Sequence, residues 1–397
     1  MKIAFFVIAL TRRNPAGSTF IDTIESLVSK GIDVTVYSNK LDNDLRGKIH
    51  HVSIPIIKFL GIPGSLVSFQ IMHTVMYLWR RLYYKERFDV IHTIDSESFL
   101  ANIVTFHVCS AEFLSVIRRE KLWIDGFSPT VVIANISLFL NLSIRKLFEA
   151  VNCKRCKCVF ALTEWHKGSL AKYYHVSTSK IHLFPNCIRT AYRNQILASD
   201  KEKIRKEIRR EWNVQEDDFL VVFVAHGGWK RKGLGLLLNT VSLVPKEIPI
   251  KVFIVGAGGF SEQRFYSAMA QGFGITERTI WVGYEGNVIP YYLAADCFVL
   301  PSWYETFSLV SLEALCSGLP MLMPHISGAA EVIEEGHNGF FIEHTSHSIL
   351  EKILYLYQHP DRREEFCRRS IERSDRYNFS DQVEKLIAQY LEISKAS

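Results

Sequence analysis

Two series of short, almost wholly apolar runs divide this chain. The first comprises residues 3–9, 34–37, 52–54, 90–94, 103–107, 159–162 and 182–184; the second comprises 219–225, 251–255, 280–282, 297–301, 320–323 and 339–342. Longer stretches with helical periodicity lie between them. Runs that do not alternate, rich in β-branched and aromatic residues, predict parallel strands covered by helices on both faces. Two such series predict an α/β chain of two doubly wound, Rossmann-like domains. Ligands of open α/β sheets sit beyond the carboxyl ends of the strands. Two such domains facing each other would enclose an interdomain cleft, with functional residues just after strands.

Pro185-Asn186-Cys187 marks the expected boundary. It gives a first domain at 1–187, a second at 188–360 and a polar helical segment at 361–397. That last segment carries an apolar stripe, Leu386, Ile387, Tyr390, Leu391 and Ile393, and is expected to pack back toward the first domain. The Lys/Arg/Glu pattern at 200–211 predicts an exposed helix. The apolar start at 3–10 resembles a secretory core but is short and lacks a small-residue cleavage site, so a first strand explains it better. Residues 59–79 are long enough for a membrane span and hold no formal charge. They include Gly61, Pro63, Gly64, Gln70 and His73, and Arg80, Arg81, Lys85 and Arg87 follow. A loop leading into a semi-apolar helix fits better. That helix would be domain core, or would lie on a bilayer with its basic end on anionic headgroups.

Length and composition agree with two buried cores: 397 residues, of which 48% are hydrophobic. The net charge of +6 is unevenly placed. Residues 1–190 hold 24 Lys and Arg against 14 Asp and Glu, and the remainder holds 23 against 27. A basic front half favours an anionic partner, either a phosphate-bearing substrate or an acidic membrane surface. No nucleic-acid-binding signature accompanies it, so no nucleic-acid partner is expected. Eight cysteines are too few for a disulfide scaffold and fit a reducing, cytoplasmic compartment. Cys153, Cys156 and Cys158 have no second pair at zinc-finger spacing and read as a basic turn entering a strand. Asp42-Asn43-Asp44 could hold a divalent ion, but it reads as a solvated turn, and no metal site is expected.

The sharpest chemical signal runs from Pro301 through Glu305-Thr306-Phe307-Ser308-Leu309 to Glu313 and Gly318. A strand ends at Pro301, a loop carries Glu305, and a helix beginning near 307–309 ends at Gly318, where glycine suits a left-handed cap. The amides of Thr306, Phe307, Ser308 and Leu309 at the helix start suit phosphate oxygens. Glu305 and Glu313 suit vicinal hydroxyls of a sugar or ribose. A phosphate seat beside two diol acceptors is the inventory for a nucleotide-sugar; one glutamate alone would read as ordinary helix surface.

The phrase resembles the Glu-x7-Glu motif of retaining GT-B glycosyltransferases of family 4. Ser327–Gly339, ending in Asn338-Gly339, and Ala294-Ala295-Asp296 resemble the family's flanking segments. The resemblance implies that Glu305 binds donor-sugar hydroxyls and Glu313 the nucleotide ribose. A second constellation, His226-Gly227-Gly228-Trp229-Lys230-Arg231-Lys232-Gly233, follows a strand and opens a helix. Arg231 and Lys232 could neutralise a diphosphate, and Lys232-Gly233 resembles the family's Lys-Gly. His226 stands where the family usually has Arg, a departure that leaves one diphosphate contact open. His107, after a strand, resembles a family histidine near the donor sugar, and Gly17 matches one of the family's two glycines near the donor. His92 reads as structural.

The resemblance implies an enzyme of EC 2.4 that moves a hexosyl-type sugar from a nucleoside-diphosphate sugar to an acceptor hydroxyl, with retention. The setting implied is cell-surface glycan assembly: lipopolysaccharide, capsule or lipid-linked saccharide. His107, Lys232 and Glu305 would serve catalysis. Gly17, Arg231, Lys232, Glu305, Thr306, Phe307, Ser308, Leu309 and Glu313 would bind the donor, with no cofactor or metal. Expected partners are the nucleotide-sugar, a glycan or lipid-linked acceptor and an anionic membrane surface, met from the cytoplasm. The alternatives are a non-catalytic sugar-nucleotide binder or scaffold, and an NAD(P)-dependent oxidoreductase prompted by Val255-Gly256-Ala257-Gly258-Gly259.

Overall fold

The computed structural model describes residues 1–12, 15–57, 62–124, 129–326 and 328–395. Residues 59–61, with Gly61, and Ser327 of the sequence reading lie outside them. The chain forms two compact units, Met1–Asn186 with Phe379–Ser397, and Cys187–Asn378.

The first unit is built on β1 (Lys2–Phe6), β2 (Asp33–Ser38), β3 (His50–Ser53), β4 (Val90–Ile94), β5 (Ile103–Thr105), β6 (Cys158–Ala161) and β7 (Ile181–Leu183). They pair in parallel in the order β3-β2-β1-β4-β5-β6-β7. Strand alternation splits the apolar runs between two cores. Ile3, Phe5, Val34 and Val36 enter one; Ala4, Phe6, Tyr37 and Val104 enter the other. A strand buried on both faces cannot alternate polar and apolar positions, which is why these runs are continuous.

The last helix, Phe379–Lys395, seats Leu386, Tyr390 and Ile393 in the first of those cores. Three such buried side chains contribute about 6 kcal/mol. Tyr390 Oη lies 2.6 Å from His92 Nδ1, and His92 Nε2 lies 2.8 Å from Thr105 Oγ1. Burial lowers the His92 pKa to about 3, so His92 is a neutral core residue. The expected division at 361 needs correcting. Helix Pro360–Ser374 stays with the second unit, burying Phe366 and donating from Ser370 Oγ to the Leu319 carbonyl at 2.8 Å. Only from Phe379 does the chain join the first unit.

Residues 62–79 fall in helix Ile62–Tyr83, which buries Leu66, Phe69, His73 and Tyr77 and exposes Ile71, Val75, Leu78 and Trp79. A longer helix, Pro129–Arg155, was not anticipated. Cys153 lies in its last turn, which corrects the reading of that cysteine as part of a basic turn. Cys153, Cys156 and Cys158 are all buried. Glu149 on the same helix accepts from Ser110 N at 2.8 Å and from the Tyr174 hydroxyl, and burial pushes its carboxyl up to about 7.

The second unit is built on β8 (Phe219–Val224), β9 (Ile250–Val255), β10 (Thr279–Gly283), β11 (Cys297–Val299), β12 (Met321–Pro324) and β13 (Gly339–Ile342). The order is β10-β9-β8-β11-β12-β13, again parallel throughout. Both sheets reverse direction at their first strand, which makes each doubly wound, as the sequence predicts. Helix Lys201–Glu211 differs from the expected solvated element. Arg209 is buried, 2.7 Å from Asp296, and Arg205 reaches the same carboxylate at 2.8 Å. Asp296 also accepts from Leu220 N at 2.7 Å, so this charged helix is latched to β8.

Candidate functional site

In the second unit, β8 and β11 are adjacent, so the segments after them emerge side by side. After β8, Gly227 and Gly228 turn the chain with φ of +69° and +62° into the short helix Trp229–Lys232. Gly233 follows at φ +80°, and a Cβ there would lie 2.1 Å from the Pro301 carbonyl oxygen. Glycine thus lets the basic turn pass directly over the end of β11. Trp303 N donates to the Arg231 carbonyl at 2.8 Å, and Arg231 Nη1 donates to the Tyr304 carbonyl at 2.8 Å. His344 stacks on Trp303 at 4.0 Å and lies 2.9 Å from the Ser302 carbonyl. The loop carrying Glu305 is therefore fixed from both sides.

Those contacts bring Glu305, Lys232 and Arg231 together. The Lys232 ammonium donates to Glu305 Oε2, and Arg231 Nη1 lies 3.6 Å from the same oxygen. The Lys232 and Glu305 side chains are only 12% and 14% exposed. Burial alone would raise the Glu305 carboxyl, but Lys232 and then Arg231 outweigh it and hold it below the ordinary range. Burial lowers the Lys232 pKa, and Glu305 only partly opposes it. Two cations meet one carboxylate here. The surplus positive charge suits an anionic group, and the carboxylate suits hydroxyls.

Helix Leu309–Cys316 begins at the late end of the expected 307–309 range, with Ser308 at the N-cap in extended conformation. Thr306 and Phe307 lie in the preceding loop, and Leu309 opens the helix. Gly318 closes it at φ +85°, as the left-handed cap requires. Glu313 has a different set of neighbours from Glu305. It accepts from the Tyr292 hydroxyl at 3.2 Å, and burial pushes its carboxyl up to about 7, with Arg189 opposing. Tyr292 and Arg189 were not singled out in the sequence. His226 is exposed and meets Tyr284 edge-on at 5.5 Å. Gly258 packs against the Trp229 ring, where a Cβ would stand 3.1 Å from ring carbons, so the 255–259 turn serves packing. Asn338 is buried and accepts from Glu334 N at 2.7 Å.

In the first unit, His107 follows β5, with its backbone N–H donating to Asp95 Oδ1 at 2.7 Å and its Nδ1 3.7 Å from that oxygen. Arg145 lies 3.6 Å from the other oxygen of Asp95. Burial would raise Asp95, but His107 and Arg145 hold it low. Asp95 sits at φ +51°, a conformation a non-glycine residue adopts at a cost. Nearby, burial pushes Glu97 up to about 7, against its bond from Ile8 N. Sequence reading found the histidine and missed its carboxylate. The signal was a lone Asp directly after the β4 run. Gly17 lies in the first turn of helix Pro15–Ser29, where a Cβ would stand 3.0 Å from the Thr11 carbonyl oxygen. Asp42 accepts from Arg12 N at 2.9 Å and Asp44 from Arg12 Nε at 2.9 Å, so this pair anchors Arg12 and is not a freely solvated turn.

Residues 16–192 match the family described as Glycosyltransferase Family 4, and residues 204–373 match Glycosyl transferases group 1. The chain is 23% identical over 322 residues to an uncharacterized glycosyltransferase of Methanocaldococcus jannaschii, covering 80% of this chain and 78% of that one. It is 23% identical over 269 residues to the UDP-Gal:alpha-D-GlcNAc-diphosphoundecaprenol alpha-1,3-galactosyltransferase of Escherichia coli, covering 66% and 64%. Among solved structures it is similar to WaaG, a glycosyltransferase involved in lipopolysaccharide biosynthesis, with a TM-score of 0.76, 17% identity and coverage of 97% and 98%. With one family matched in each half and the two-sheet fold of such enzymes, the chain is a GT-B glycosyltransferase.

Proposed function

We propose that this glycosyltransferase transfers a hexosyl-type sugar from a UDP-sugar to a hydroxyl of a lipid-linked or lipopolysaccharide-type glycan, with retention at the anomeric carbon. The observation that carries the reading is the buried Glu305 carboxylate held between Lys232 and Arg231. As the anomeric carbon–oxygen bond breaks, negative charge grows on the departing diphosphate. Lys232 and Arg231 stabilise it, and a buried, pre-positioned cation is worth more there than in water. Glu305 accepts from the sugar hydroxyls and orients the ring. Glu313 accepts from the ribose. The new bond forms from the acceptor oxygen to the same face of the anomeric carbon, and the acceptor proton passes to the leaving diphosphate. No protein nucleophile is needed. In the first unit, Asp95 orients His107, which is suited to a substrate hydroxyl. The two cations supply the charge that a divalent metal supplies in other transferases.

The relatives support the donor and acceptor classes: one uses UDP-Gal and a diphosphoundecaprenol-linked sugar, and another acts in lipopolysaccharide biosynthesis. A nicotinamide role leaves Glu305 and Glu313 without work, and Gly258 of the 255–259 turn packs against the Trp229 ring. A panel of UDP-, GDP- and ADP-sugars tests the reading by thermal shift. The UDP-sugars should raise Tm, and unchanged turnover in EDTA should accompany transfer. An inverted product anomer, or a shift with NAD(H) only, would refute it.

A further inference from the structure

We propose that the first unit docks on an anionic lipid surface through the outward faces of two neighbouring helices, Ile62–Tyr83 and Pro129–Arg155. This deepens the proposed function by naming the surface that meets a lipid-borne acceptor.

Pro129–Arg155 is, among the described residues, the helix apolar and long enough to cross a membrane, with a mean hydropathy of 1.5 over an 18-residue window that is only 6% buried. Val132, Ile133, Ile136, Phe139, Leu140, Leu147 and Val151 form its exposed stripe, recurring at steps of three, four and seven residues along one side. Helix Ile62–Tyr83 packs beside it and has a stripe of its own: Val67, Ile71, Val75, Leu78 and Leu82. Exposed Trp79, Tyr83 and Tyr84 cluster at its end, the residue types enriched where hydrocarbon meets headgroup. Apolar faces of this extent exceed what a solvated surface normally shows.

The charge around the stripes selects the occupant. The two helices together hold one acidic residue, Glu149, and it is buried against Ser110 and Tyr174. Their last turns carry Arg80, Arg81, Lys154 and Arg155, and Lys146 lies further inside the longer helix; Arg80 is paired with Glu86 at 2.8 Å, which leaves Arg81, Lys146, Lys154 and Arg155 to face headgroups. An apolar stripe edged by cations of one sign matches an anionic bilayer. A second copy of the same chain would set these like charges against each other. The long helix lies on the bilayer and does not cross it, because Glu149, Asn152 and Cys153 fix its last turns in the domain.

The test uses the full chain and vesicles, with neither donor nor acceptor, so its result is separate from that of the transfer assay. Flotation with vesicles of 30% phosphatidylglycerol in phosphatidylcholine should capture the protein, and pure phosphatidylcholine should not. Replacing Ile133, Ile136 and Leu140 together by Ser should weaken capture about a hundredfold. These side chains are exposed, so Tm should hold. Lys146→Gln with Lys154→Gln should weaken it about 25-fold, near fivefold per charge. Equal capture by both vesicles, no capture, unchanged capture of the serine variant, or a wild-type dimer that this variant converts to monomer in sedimentation would each overturn the proposal.

Discussion

Replacing Lys232 by Met probes the centre of the site through both stability and rate. The substitution keeps the side chain's length and removes its charge. Glu305 then remains, 14% exposed, facing Arg231 alone at 3.6 Å. Removing one member of a buried pair costs about 3–5 kcal/mol, and the remaining Arg231 puts this case near 3. At about 2–4 °C per kcal/mol for a unit of this size, Tm should fall by roughly 6–12 °C. Loss of a pre-positioned cation at the transition state, again about 3 kcal/mol, should lower kcat/KM by about 150-fold. The second variant, Lys232→Met with Glu305→Gln, leaves neither charge orphaned, so most of the lost stability should return. Turnover should not return, because both roles are gone. Thermal unfolding followed by circular dichroism and release of nucleoside diphosphate give the two readouts. A single variant with wild-type Tm and rate, or a double variant that regains activity, would refute the argument.

Further outcomes follow from other groups. Glu149 and Glu97 have carboxyls raised to about 7 from the ordinary 4.5. Between those values the folded chain keeps protons that the unfolded chain has lost, so stability should fall as pH rises from 5 to 7, by up to about 1.4 kcal/mol per unit for each group. Glu149→Gln should flatten the Tm-against-pH curve, and an unchanged slope would contradict the burial argument. Glu313→Gln should weaken nucleoside-diphosphate binding about tenfold in titration calorimetry above about pH 8, where the Glu313 carboxyl, raised to about 7, is ionised and a charged acceptor becomes neutral. Gly233→Ala meets both a left-handed φ and the Pro301 carbonyl, and should lower Tm by several degrees and abolish donor-induced stabilisation. Wild-type behaviour of that variant would show that the close passage of the two loops is dispensable.

The strands were legible because burial on both faces leaves an unbroken apolar run, a signal carried by neighbouring residues alone. The Glu305 loop was legible for a similar reason: strand, loop and capped helix follow one another in sequence. What escaped depends on residues far apart in the chain. Asp95 becomes the partner of His107 only because β4 and β5 are neighbours. Arg205 and Arg209 look solvated until Asp296 arrives from nearly ninety residues away. Helix Pro129–Arg155 mixes Asn135, Asn141 and Ser143 into an apolar stretch that is largely exposed, so its periodicity does not announce a core-facing side. Helix Pro360–Ser374 and helix Phe379–Lys395 have similar amphipathic patterns, and no local feature tells which sheet each will cover.

The placement of helix Phe379–Lys395 also orders the birth of the protein. Leu386, Tyr390 and Ile393 complete a core whose other members include Phe5, Phe20 and Val36, so segments far apart in sequence share one interior. On the ribosome, everything between them, including the whole Cys187–Asn378 unit, is made before that interior can be sealed. Of these two units, the one begun first is therefore the one completed last, and until then it exposes an apolar furrow that nascent-chain chaperones are suited to cover.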